Sequence, residues 1–76
     1  SRGLGDVYKR QVAKVLPAAE TGKAAELASS LIATVHGHCA FMLGGTFALL
    51  GVERPADLAA ARVMETLYAK GAYTAA

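Results

Sequence analysis

The chain has no tryptophan, one cysteine and two prolines among its 76 residues. A single cysteine excludes a disulfide framework within the chain. Two prolines leave little loop chemistry, and no segment alternates apolar with polar residues as a half-buried strand would. Charged residues are scarce at 18%, but the hydrophobic fraction of 54% excludes a disordered chain. Alanine is abundant: seventeen residues, so much of the apolar content is small side chains. Such a composition makes good helices and thin cores. A chain of 7.8 kDa forms one small domain or part of a larger one. At this size folding buries only about 60% of the surface that the unfolded chain exposes. A partner chain or further sequence is therefore expected.

Ser1 to Gln11 reads SRGLGDVYKRQ. This string resembles the in-frame translation of a transposase-based sequencing adapter, TCT CGT GGG CTC GGA followed by GAT GTG TAT AAG AGA CAG. The match covers every position, so residues 1–11 are set aside from fold reasoning as an adapter-derived artefact. The charge balance changes with them. The whole chain has 8 Lys+Arg, 6 Asp+Glu and a net charge of +2. Removing Arg2, Lys9, Arg10 and Asp6 leaves five of each sign, hence a net charge of zero. The basic balance that would point to nucleic acid or an anionic membrane disappears with the segment. Residues 12–76 are then expected to continue a longer coding sequence upstream.

Val12 to Leu16 is a short apolar run stopped by Pro17, the tail of a helix. Pro17 to Gly22 reads as a connection. From Lys23 to Gly45 the pattern is helical: Leu27, Leu31, Val35, His38 or Cys39, and Met42 form one stripe, and Ile32, His36, Leu43 and Phe47 extend a second. The helix is apolar on most of its circumference. Gly44-Gly45 breaks it, and Thr46 to Gly51 is either a helical extension or a packed loop. Pro55 opens a last helix with Asp57 in its first turn, and Lys70 and Gly71 close it. The expected fold class is all-α, with an antiparallel helix pair plus a short N-terminal helix.

His36-Gly37-His38-Cys39 is the one constellation with possible chemistry. On a helix His36 and Cys39 share a face, whereas His38 points elsewhere, and no carboxylate lies one turn away on that face. Three or four convergent metal ligands are not available, so no metal is expected. A mid-helix cysteine among apolar residues reads as an inert packed thiol in the core. No nucleophile–base pair can be assembled, so no catalytic residue, cofactor or enzyme activity is expected. Gly37 inside a helix costs roughly 0.8–1.0 kcal/mol against alanine and is tolerated where something approaches the backbone closely. His36 beside it is either a histidine satisfied by a carbonyl or hydroxyl, or one that contacts a ligand.

From Leu27 to Val52 there is no Lys, Arg, Asp or Glu, a length that would span a bilayer. Against a span stand two histidines, several hydroxyls, the Gly44-Gly45 break and flanks without a one-sided Lys/Arg excess. A small helical membrane-associated protein with a span near Leu27–Val52 is the alternative reading.

The stretch LIATVHGHCAFMLGGTF resembles the C-terminal effector domain of TetR-type transcriptional regulators, in the variant named for its Trp-His-Gly residues. His36 and Gly37 match the His-Gly pair, Phe41 the large apolar position, Gly45 the closing glycine and Phe47 the apolar residue after it. Ile32 stands where the pattern has tryptophan. The next helix ends in Leu67-Tyr68-Ala69-Lys70-Gly71, similar to the family's closing Leu-x-x-Gly. The resemblance covers roughly residues 24–71. It implies part of a larger helical domain of a bacterial, cytoplasmic transcriptional repressor that binds a small-molecule effector of unknown identity and forms a homodimer. His36 and Phe41 would contact the ligand, and His36, Gly37 and Gly45 would shape the motif. The helices of about residues 23–45 and 55–70 are expected to pair with their copies as a four-helix interface, with Ala60 and Met64 in it. DNA would be bound only by an N-terminal helix-turn-helix outside this chain, and no membrane is involved.

Overall fold

The computed structural model describes residues 2–73; Ser1, at the head of the adapter-like segment, and residues 74–76 lie outside the described residues. The fold is all-α. Helix α1 runs over Arg2–Val15, a 3₁₀ stretch over Ala18–Lys23, α2 over Ala24–Leu43, the single turn α3 over Thr46–Leu49 and α4 over Pro55–Ala69. No strand occurs among the described residues.

The boundaries follow local chemistry. Pro17 has no amide proton and stands in extended conformation, so α1 cannot continue past Leu16. Gly45 takes φ +82°, a left-handed conformation that costs a residue with a Cβ about 1–2 kcal/mol, and it ends α2. Pro55 occupies the first turn of α4, where its missing donor is no loss, and Arg54 Nε meets Asp57 Oδ2 at 2.7 Å across that turn. At the other end Gly71, at φ +85°, lets its own N–H donate to Tyr68 O at 2.9 Å and the Ala72 N–H donate to Leu67 O at 3.0 Å. That paired closure is a Schellman cap, and it buries Ala72 against the same core as Leu67. Tyr73 N–H then donates to Val15 O at 3.1 Å, tying the chain end to the end of α1.

The core is small. Leu16, Ala24, Leu27, Leu31, Leu67 and Ala72 form it, with Val12, Ala13, Val15, Val63 and Met64 packed half-buried around them. Leu67 is the one buried residue of α4. The pairing is antiparallel: Leu27 and Leu31 near the start of α2 share the core with Leu67 near the end of α4, whereas Met42 near the end of α2 faces Pro55 and Ala56. Helix α1 packs along α2 as well: Leu16 just past its end shares the core with Ala24 and Leu27 at the start of α2, and Tyr8 lines the same groove as Val35 and His36. The N-terminal helix is thus a full 14-residue element on α2, longer than the short tail that Val12–Leu16 implied.

Helix α2 is therefore the middle of one layer, with α1 on one side and α4 on the other. The molecule measures 42 × 30 × 12 Å. The radius of gyration is 14.0 Å, against about 11.4 Å for a compact chain of this length.

Residues 5–11 of α1 are all exposed, and Tyr8 and Gln11 touch the rest of the molecule only along a groove. Deleting Ser1 to Gln11 is expected to lower stability by no more than about 1 kcal/mol, the range of surface changes. Thermal melts of the two lengths check it, and a larger loss would show that the adapter-like half of α1 is part of the folding unit.

Candidate functional site

One side of the layer carries an open trough of about 500 Å³. Its floor is α2, through Ala28, Leu31, Ile32, Val35, His36 and Cys39. Tyr8, Gln11, Val12 and Val15 of α1 form one wall, and Val63, Leu67 and Tyr73 form the other. A second depression shares Val35 and Cys39 and continues along α2 through His38 to Met42, against Pro55, Ala56 and Ala59 of α4. The two together make a continuous apolar strip. The other side of the layer is polar, with a shallow depression lined by Glu20, Lys23, Glu26, Ser30, Thr66 and Lys70.

His36 lies in the trough, exposed, with Cys39 one turn on. His38 is not among the residues that line the trough with His36, but it lines the second depression together with Cys39. Its Nδ1 lies 2.7 Å from Thr34 O, so Nδ1 donates to that carbonyl, and its ring rests on Phe47 at 5.6 Å between centroids. The histidine satisfied by a carbonyl is thus His38, not His36. Cys39 is exposed. This corrects the expectation of a core thiol: the layer covers only part of α2, and the side bearing Cys39 is left open. Among the described residues no group of three His, Cys, Asp or Glu side chains is placed to hold a metal ion.

Phe41 lies elsewhere. It packs edge-on against Phe47 at 5.4 Å, and Phe47 is the buried side chain that folds α3 back onto α2. Five residues along a helix turn through about 500°, so His36 and Phe41 point about 140° apart. The two residues that the resemblance assigns to one ligand are not brought together within this chain. Gly45 does have the conformation its closing role requires. Gly37 has nothing within 4 Å of where a Cβ would stand. Gly37→Ala should therefore raise stability by about 0.8–1.0 kcal/mol, read from urea melts followed by circular dichroism. A loss of stability instead would show a backbone approaching Gly37 in an assembly.

Of the two proposed interface residues, Met64 is half-buried against the chain's own core, whereas Ala60 is exposed. Ala60, Met64 and Leu67 fall on one helical stripe, but of the three only Leu67 lines the trough. The sequence reading did not single out the trough itself, because the register of α1 on α2 depends on tertiary packing. No helix among the described residues is long and apolar enough to cross a membrane. Comparison with protein-family models, with curated proteins and with solved structures finds no match to this chain.

Proposed function

We propose that this chain is the C-terminal ligand-binding and dimerisation part of a TetR-like bacterial transcriptional repressor, with its DNA-binding helix-turn-helix in upstream sequence. The observation that carries the reading is the order α2, glycine break, α3, α4. A long apolar helix bearing His36-Gly37 ends at Gly45, and an antiparallel helix closed by Gly71 follows it. The open trough agrees with it. Small-molecule sites enclose about 70–90% of their ligand, and a trough walled on two sides reaches such enclosure only with further helices or a second subunit. In this reading the protein is cytoplasmic and homodimeric. An unidentified effector shifts the spacing of two DNA-reading heads and loosens operator binding.

The coding sequence upstream of Val12 tests the reading. An in-frame helix-turn-helix of about 50 residues is expected. A second long apolar span there would favour the membrane-associated alternative instead.

This chain by itself should not bind DNA specifically. Phosphate neutralisation needs several clustered Lys or Arg, and residues 12–76 have balanced charge. Gel-shift binding that persists after deletion of Ser1 to Gln11, with a steep salt dependence, would contradict this.

A further inference from the structure

We infer that the trough is a site for an uncharged, mainly apolar small molecule bearing a hydroxyl or carbonyl group, and that Tyr73 is one of the residues that hold it. The inference rests on the ligand-binding reading above and deepens it. It names the class of effector and a contact outside the resembled stretch.

The lining selects the charge of the ligand. No Asp, Glu, Lys or Arg lines the trough, on its floor or on either wall. A charged molecule would lose water there with no ion to pair with. Glu20, Lys23, Glu26 and Lys70 stand on the other side of the layer instead. Setting the adapter-like Tyr8 and Gln11 aside does not alter this, because the rest of the lining is apolar except for His36, Cys39 and Tyr73. With α1 in place the trough of about 500 Å³ is within the range of about 300–1,000 Å³ of small-molecule sites.

Shape separates this site from a docking surface. Leu43, Leu49 and Leu50 are the most exposed large apolar side chains, at 83%, 90% and 66%. They line neither the trough nor the second depression. A protein or lipid partner would meet those projecting side chains at the connection between α2 and α4. The trough is concave and lies between helices.

Tyr73 is placed by its backbone. Its φ is +64°, and it is the one described residue other than glycine with a positive φ. A bulky side chain rarely takes that conformation, and it persists where the surroundings over-determine it. Here the Tyr73 N–H donates to Val15 O at 3.1 Å, and the ring packs edge-on against Tyr68 at 5.8 Å between centroids. Both contacts fix the ring at the trough. Among the described residues neither the Tyr73 hydroxyl nor the His36 ring makes a hydrogen bond, so both are available to a ligand oxygen.

The test displaces N-phenyl-1-naphthylamine, an uncharged fluorescent probe, from the intact chain with decan-1-ol, decanoate or decylammonium. The three share one alkyl chain and differ in charge. The trough is open on one side and binds weakly, so the readout is the order of the three. Decan-1-ol is expected to displace the probe at about tenfold lower concentration than either ion, or lower still. Tyr73→Phe keeps the ring contact with Tyr68 and removes the hydroxyl. It should weaken decan-1-ol by about fivefold, the worth of one hydrogen bond, and leave the probe's own affinity unchanged. Ile32→Glu and Val35→Glu, at positions 38% and 42% exposed on the trough floor, should each abolish probe binding with helix content kept. Leu49→Ala combined with Leu50→Ala should leave binding unchanged.

Equal displacement by the alcohol and the ions would overturn the inference. So would probe binding that survives both glutamate variants, whether Tyr8→Ala or the double leucine change then removes it. Decan-1-ol binding that Tyr73→Phe does not weaken would overturn the assignment of Tyr73. An upstream reading frame without a helix-turn-helix removes the regulator reading and leaves the order of displacement standing.

Discussion

Leu67→Ala is expected to release α4 from the rest of the chain. Leu67 is the only side chain of α4 that reaches burial, and it shares the core with Ala72, whose N–H donates to the Leu67 carbonyl in the Schellman cap. Removing a buried leucine costs about 2–5 kcal/mol, depending on how far the site collapses. A 76-residue domain has only about 4–11 kcal/mol in all, at roughly 0.05–0.15 kcal/mol per residue. One substitution should therefore remove about a fifth of the stability or more. Urea melts by circular dichroism read the effect. Leu49→Ala is the control: Leu49 is 90% exposed, so its loss should change the stability of the single chain by less than about 0.5 kcal/mol. Equal losses at the two positions would contradict a core built around Leu31 and Leu67.

Ala60→Glu is expected to split the dimer without unfolding the subunit. Ala60 is exposed in the single chain, and glutamate is a good helix former, so α4 keeps its structure. On the stripe that continues to Leu67 a carboxylate would be buried without a partner when the second copy packs. A buried unpaired charge costs about 3–5 kcal/mol, which corresponds to roughly a hundred- to a thousand-fold or more in dissociation constant. Met64→Glu distinguishes association from folding. Met64 already packs against its own core, so the charge there should unfold the subunit as well. Sedimentation and circular dichroism on both variants separate the outcomes. A dimeric Ala60→Glu protein would place the interface elsewhere.

The helix boundaries were legible because proline and glycine act locally. Pro17, Gly44-Gly45, Pro55 and Gly71 each stop or start a helix through their own backbone chemistry, whatever packs around them. The length of α1 was not legible. Residues 1–11 were set aside by origin, yet a helix once nucleated at Val12–Val15 propagates through Tyr8, Lys9, Arg10 and Gln11 at little cost. The burial of α2 was misread for a different reason. A helix apolar nearly all round looks like the centre of a core, but with one neighbour on each flank a full side remains open, and Cys39 stands on it. Residue spacing alone separates His36 from Phe41; joining them requires groups that come from other helices or another chain. The trough could not be read ahead, because it depends on where α1 lies across α2.

The exposed apolar side of the three helices needs a cover. Sedimentation equilibrium of the intact chain, from low to tens-of-micromolar concentration, tests that need most directly. A species of twice the 7.8 kDa chain mass, growing with concentration, is the predicted result. A chain that remains at 7.8 kDa throughout would contradict it.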